Sequence, residues 1–190
     1  MSQKKDKDKI IFFRESIFRV AELIFNHPNK VFHIRMLEKE TGFSTTAVAD
    51  SVNKLKEYGI VQLEKTDLTT NIRADLESEA YRFYKLIFNL YRLKRYLFID
   101  TLVGEFNNPE SIVLFGSFSK GEDVEESDID ILIISPAKRD EEVRYSADIF
   151  EKELNRKINI HVLESLDKSS NEFKNAVANG IVLHGYIKVI

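Results

Sequence analysis

The chain has 190 residues, 43% of them apolar and 31% charged, with 28 Lys and Arg against 31 Asp and Glu. That length suits one or two domains with a real core, and a net charge of −3 excludes a chain that is basic throughout, as a general nucleic-acid binder would be. The absence of cysteine removes disulfide scaffolds, thiol nucleophiles and zinc-thiolate sites, and His27, His33, His161 and His184 show no metal-ligand spacing. No apolar run approaches the roughly 20 residues that span a bilayer, and the Lys-rich start (Lys4, Lys5, Lys7, Lys9) leads into an amphipathic stretch, so the expectation is a soluble, cytoplasmic protein with no membrane partner.

Charge is unevenly spread. Residues 1–80 carry 13 basic and 13 acidic side chains, 81–107 carry 5 and 2, and 108–190 carry 10 and 16. Segment charges of 0, +3 and −6 suggest a chain assembled from unlike parts. In the first part Phe13, Ile17, Val20, Ala21, Ile24 and Phe25 recur at helical spacing up to Asn26-His27-Pro28-Asn29, where proline ends the helix. Val31 to Ile34 reads as extended. A second helix around Met36, Leu37 and Thr41 closes at Gly42, and Ser44 stands where an N-cap belongs. From Thr45 the apolar positions Val48, Val52, Leu55 and Ile60 trace one helical face, with Thr45, Thr46, Asp50, Asn53, Lys54 and Glu57 opposite. Gly59 stops that helix, and Ile60 to Lys65 and Asn71 to Leu76, joined through Thr66-Asp67, read as a hairpin.

This order of helix, turn, helix and hairpin over about residues 10–76 resembles the winged helix-turn-helix of MarR and ArsR type regulators. The resemblance rests on Leu37, Gly42, Phe43, Ser44, Thr45, Thr46, Val48, Leu55, Gly59, Ile60 and Val61. It implies that the helix starting near Ser44 enters a DNA major groove, with Thr45, Thr46, Asn53 and Lys54 as the DNA-contacting residues and the hairpin as the wing. Asp50 departs from that pattern, because a carboxylate facing phosphates is repelled. Fold use in dimerisation or docking is the competing reading.

No Gly or Pro occurs between Ile60 and Val103. Phe83, Ile87, Leu90, Leu93, Leu97 and Thr101 repeat about every 3.5 residues, which predicts one long helix or two abutting ones with a packed stripe. Arg82, Lys85, Arg92, Lys94 and Arg95, among Tyr81, Tyr84, Tyr91 and Tyr96, are read as its solvated basic face, and a platform for phosphates and bases is the alternative.

The second half holds the most informative pattern. Ser111 to Phe115 is a short apolar strand running into Gly116-Ser117-Phe-Ser-Lys-Gly121. After an acidic loop come Ser127-Asp128-Ile129-Asp130 and the strand Ile131 to Ile134. A Gly-Ser turn after a strand lets backbone N–H groups and a hydroxyl approach phosphate oxygens. Two carboxylates spaced two apart in extended chain project from one face, and a hard cation such as Mg²⁺ is their natural counter-charge. Ser119 and Lys120 are weaker candidates, as readily a solvated loop as phosphate contacts, and His161 has the chemistry of a base or ligand, though a lone histidine on a strand is more often structural.

Strand, Gly-Ser, ten residues and Asp-x-Asp together resemble the signature of minimal nucleotidyltransferases of the DNA polymerase β superfamily. The resemblance covers about residues 108–190, including the strand Lys157 to Leu163 and the closing Asn179-Gly180-Ile181-Val182-Leu183. It implies that Gly116 and Ser117 bind the triphosphate of a nucleotide, ATP first among them, and that Asp128 and Asp130 are the catalytic pair that coordinates Mg²⁺. Such families supply a third carboxylate from a neighbouring strand. Here Ile158, Ile160 and Val162 alternate to one side, so Asn159 and His161 share the other, and Asn159 stands where the third metal ligand belongs. A neutral amide ligates through oxygen but adds no charge and takes no proton at neutral pH. Turnover is therefore left open.

The expectation is an α/β (α+β) chain: a winged helix-turn-helix at 1–76, connecting helices at 77–107, and a nucleotidyltransferase domain at 108–190 whose mixed sheet is flanked by helices Glu141 to Leu154 and Asn171 to Ala178. It transfers a nucleoside monophosphate from a nucleoside triphosphate to a macromolecular acceptor, DNA, RNA or protein, with the winged helix docking acceptor or DNA. A regulator with a degenerate, nucleotide-sensing domain, an antitoxin-like adaptor and a homodimer are the alternatives carried forward. The same motif also resembles antitoxins paired with HEPN ribonucleases, some of which add AMP to the toxin.

Overall fold

The structure, a computed structural model, describes residues 14–66, 69–136 and 140–188, the side chains of 140–146 excepted. Phe13 of the first predicted helix and Asp67 of the predicted turn lie outside these residues. By its contacts the chain divides into two compact units, Met1–Lys85 and Leu86–Ile190.

In the first unit, helix α1 (Glu15–Asn26) buries Ile17, Val20, Ala21, Ile24 and Phe25, the i, i+3, i+4, i+7, i+8 set that makes one apolar stripe. Helix α2 (Ile34–Thr41) ends at Gly42, whose φ of 74° is the left-handed conformation open to glycine. The Ser44 side chain accepts from the Ala47 N–H and caps helix α3 (Thr45–Glu57), which buries Val48, Ser51, Val52 and Leu55. Strands β1 (Val61–Lys65) and β2 (Thr70–Ala74) pair antiparallel, Val61 opposite Ala74. Phe32 exchanges backbone hydrogen bonds with Ile72 at 2.9 and 2.8 Å, so the extended stretch before α2 borders the hairpin. Ile34 is helical rather than extended. Leu76, predicted as strand, sits in a turn and is 39% exposed, because the ladder ends at Ala74 and Ser78 N–H turns back to Asp75.

Helix α4 (Glu79–Arg95) spans the division between the units, and α5 (Phe98–Glu105) follows it. Leu97 between them takes φ 57°, so the chain breaks and a period read across it does not hold. Phe83 and Leu97 of the predicted stripe are each 58% exposed. The predicted solvated basic face is corrected too: Lys85 is buried, and so is Arg92, which donates to the Leu154 carbonyl. Lys94 and Arg95 remain exposed, Lys94 paired with Asp100 at 2.8 Å.

The second unit is built on a mixed four-stranded sheet in the order β5-β4-β3-β6. Strand β3 (Ser111–Phe115) is antiparallel to β4 (Ile129–Ile134) and to β6 (Ile181–Gly185), and β4 is parallel to β5 (Ile158–Leu163) through the crossover helix α6 (Asp140–Leu154). Strand β6 is bulged: Ile112 faces His184 while Val113 faces Val182, leaving Leu183 as the extra residue. Period-2 alternation divides the sheet. Ile112, Leu114, Ile129, Ile131, Ile133 and Ile158 pack with Phe98 and Leu102 of α5 and Ala147, Phe150 and Leu154 of α6. On the opposite face Val113, Phe115, Leu132 and Ile134 meet Val177 and Phe173 of helix α7 (Asn171–Ala178). Seven α-helices and two sheets among the described residues make a mixed α+β chain. No described helix is long and apolar enough to cross a membrane.

Candidate functional site

At the end of β3 the chain turns at Gly116 with φ 74°. Two constraints demand glycine here. The left-handed backbone disfavours any side chain, and a Cβ would come within 2.5 Å of Asp130 Oδ2. The Asp130 carboxylate therefore lies directly against the turn. Ser117 is half-buried and helical, and leads into a 3-10 turn, Phe118–Lys120, that closes at Gly121. The Ser117 carbonyl accepts from the N–H groups of Lys120 and Glu122 at 3.0 and 3.1 Å. Ser119, buried, donates its hydroxyl to the Gly116 carbonyl at 2.7 Å, so it braces the turn, whereas Lys120 is exposed.

Because β3 and β4 are antiparallel, the end of one and the start of the other fall at the same edge. Phe115 pairs with Asp130, and Asp130 pairs on its other side with Asn159 of β5. Asp128 immediately precedes β4, two residues from Asp130 and on the same side. The Asn159 amide nitrogen donates to Asp128 Oδ2 at 3.0 Å and to Asp130 Oδ1 at 3.1 Å. Ionised carboxylates only accept, so the amide must present its N–H₂ group, and ligation of a cation by its oxygen requires a half-turn of the side chain. Gly116, Ser117, Asp128, Asp130 and Asn159 are thus brought together. Among the described residues no three His, Cys, Asp or Glu side chains form a metal-holding group; two carboxylates and one amide are what this point offers.

One element of the site was missed from sequence. Asn89 of α4, buried, donates to the Phe118 carbonyl at 3.0 Å and to Asp123 Oδ1 at 2.7 Å. It pins the 3-10 turn and the following loop from beneath. The one signal for it was a polar residue at the spacing of a buried face, which helical periodicity alone does not separate from a solvated one. Further on, Ser127 accepts from the Val124 N–H at 2.9 Å and sets the approach to Asp128. A cleft of about 540 Å³ opens beside Asp128, bordered by Glu125, Glu126, Lys152, Arg156 and Lys157.

His161 shares the face of Asn159 and is exposed, with its ring 5.7 Å from that of Phe115 and 5.4 Å from that of Phe173. At the start of α7 the Glu172 carboxyl is held below its ordinary range by its own backbone N–H and then by the Ser170 hydroxyl. In the first unit Thr45, Thr46, Asp50 and Asn53 are exposed on α3. Thr45 donates to Glu38 at 2.9 Å and Lys54 pairs with Glu57 at 2.8 Å, so two of the four predicted DNA-contacting residues already face carboxylates.

No curated protein and no solved structure matches this chain. Residues 98–184, from the start of α5 into β6, match the family model described as the nucleotidyltransferase domain. The segment that carries the Gly116 turn, both aspartates and Asn159 is therefore similar to a nucleotidyltransferase domain, and nucleotidyl transfer with a nucleoside triphosphate substrate is the general function that this similarity supports.

Proposed function

We propose that residues 108–190 transfer a nucleoside monophosphate, AMP first among candidates, from a nucleoside triphosphate to a macromolecular acceptor. One observation carries this reading: Asp128 and Asp130 aim an oxygen each at a single donor, beside a turn whose glycine lets Asp130 lie against the backbone. In this reading Gly116 and Ser117 hold the triphosphate through close backbone approach and the hydroxyl, and the carboxylate pair orients its reacting end. The donor set fits Mg²⁺, because two carboxylate oxygens already converge on one point and a hard cation is the counter-charge that two such neighbours call for. When bound, that ion supplies positive charge to the oxygens that enter and leave at the α-phosphorus. An acceptor oxygen forms the new bond to that phosphorus, the bond to pyrophosphate breaks, and the acceptor's proton is released. The acceptor, protein or RNA, enters by the mixed-charge cleft beside Asp128. Asn159 contributes no charge and takes no proton, so transfer is slow.

Calorimetry with ATP, CTP, GTP and UTP, each with and without Mg²⁺, tests the site. Changing Asp128 and Asp130 together to Asn should abolish Mg²⁺-dependent binding. Retention of full affinity by that variant refutes the assignment. Labelled-nucleotide transfer to a co-purifying protein or RNA, faster in Asn159→Asp, tests the reaction.

Asn159 also favours a second reading, a regulator whose transferase domain only senses nucleotide. Here residues 1–76 act as a winged helix-turn-helix, 77–107 as the connector, and 108–190 as the sensor. The sequence α2, Gly42 turn, Ser44-capped α3 and hairpin supports it, with Thr45, Thr46, Asn53 and Lys54 as the DNA-facing residues. The exposed Asp50 and the Lys54–Glu57 pair make such binding weak and electrostatic. Affinity for duplex DNA should therefore collapse between low and physiological salt. A tight, sequence-specific complex at physiological salt would reverse the ranking of the two readings. An antitoxin-like adaptor without transfer remains if triphosphate binds, no acceptor is labelled and a partner protein co-purifies.

A further inference from the structure

Beyond the carboxylates, the same face of the sheet ends in three rings. We propose that His161, backed by Phe115 and Phe173, is the stacking surface for the nucleobase; this deepens the nucleotide-site reading above and rests on it. Asn159 and His161 are two residues apart in β5, so their backbones are separated by roughly 6.6 Å along the strand on one face. That step begins at the amide holding both carboxylates and matches the scale of the ribose between an α-phosphate and its base.

The ring cluster is graded from core to solvent. Phe115, opposite Asp130 in β3, is buried, Phe173 of α7 is half-buried, and His161 is exposed. Phe115 and Phe173 stand edge to face with centroids 5.5 Å apart, at 77°. His161 leans on both, at 48° to Phe115 and 66° to Phe173. Among the described residues no hydrogen bond engages either ring nitrogen of His161. A core histidine would be buried and hydrogen-bonded. This one is positioned by aromatic contact alone and leaves its remaining surface to solvent, beside the site where a nucleotide would be held.

Stacking is tolerant of base identity because every base has a π-face, and it strengthens with ring area. The surface therefore takes all four bases and prefers purines. It also separates two ligands that share the phosphate chemistry: a nucleoside triphosphate uses His161, and inorganic tripolyphosphate does not.

Calorimetry on the full chain with Mg²⁺ and ATP, UTP or tripolyphosphate tests this. His161→Ala should weaken ATP about tenfold, UTP less, and leave tripolyphosphate unchanged, while His161→Phe should retain most of the ATP affinity. Unchanged ATP affinity in His161→Ala, an equal loss for ATP and tripolyphosphate, or failure of His161→Phe to rescue would each overturn the stacking role. If the native chain binds ATP and tripolyphosphate equally, the phosphate site stands and the base platform falls. If it binds neither, both fall together.

Discussion

The two faces of the four-stranded sheet share the same backbone and differ only by one residue of alternation, yet they do opposite things. Ile129, Ile131 and Ile133 point into a layer sealed by α5 and α6. Asp130, between them in sequence, faces the other way and meets Gly116 and Asn159. One strand thus supplies the core and the candidate site together, because the side-chain period of an extended chain is two. Both faces are packed, one on α5 and α6 and the other on α7, and the candidate site occupies only the end of the second, where Asp130 and Asn159 replace the apolar side chains.

The sharpest way to break the comparison is to exchange the chemistry of neighbours on β4. Ile131→Asp buries an unpaired charge in the sealed layer and should destabilise the second unit by about 4 kcal/mol or more, read as loss of cooperative melting by circular dichroism. Asp130→Asn, one residue away, should leave the melt within about 1 kcal/mol of the native chain, since the half-buried side chain keeps its shape and its oxygen can still accept from Asn159. Equal damage from both would mean that the two faces are not functionally separate.

A smaller loss is expected beneath the turn. Asn89→Leu removes the donor to the Phe118 carbonyl and Asp123, and should cost about 1 to 3 kcal/mol of stability while weakening triphosphate binding. Melting and calorimetry read the two effects separately. Smaller again is Asn159→Asp without metal. It replaces a shared hydrogen-bond donor by a third carboxylate and should lower stability by about 1 kcal/mol. Mg²⁺ should then raise the melting temperature of this variant more than that of the native chain. An unchanged metal-free melt would show that the amide is not holding the carboxylates.

The smallest effect is at Glu172. Its folded-state pKa lies below its unfolded value, so the charged form stabilises α7 above the unfolded pKa and that contribution is lost as pH falls through the folded one. NMR titration should place its midpoint below that of an ordinary glutamate, and Ser170→Ala should move it upward.

Much of the candidate site's geometry was readable because short-range spacing decided it. Gly116 and Ser117 directly follow β3, Asp128 directly precedes β4 and Asp130 lies in it, so strand alternation and the turn fix their direction, and Asn159 follows from the same alternation in β5. The helical connector was less readable. Its period did not reveal the break at Leu97, where a left-handed residue resets the phase, nor that Lys85, Asn89 and Arg92 go inward. Buried polar side chains are stabilised by specific partners from distant parts of the chain, here Phe118, Asp123 and Leu154 for Asn89 and Arg92. Periodicity carries no information about such partners. Leu76 shows the same limit on a smaller scale, since hydrophobicity marked it as strand while the ladder stopped two residues earlier.

The bulge in β6 bears on how the sheet ends. An edge strand offers unpaired peptide groups as a template on which another chain can grow, and a regular edge invites aggregation. Strand β6 is only five residues long, carries the extra residue Leu183, and closes at Gly185, whose φ of 68° turns the backbone out of extended geometry. A foreign strand laid along it would lose register within two or three pairs. The irregularity that looks like a flaw in pairing with β3 is thus a built-in stop to polymerisation at that border.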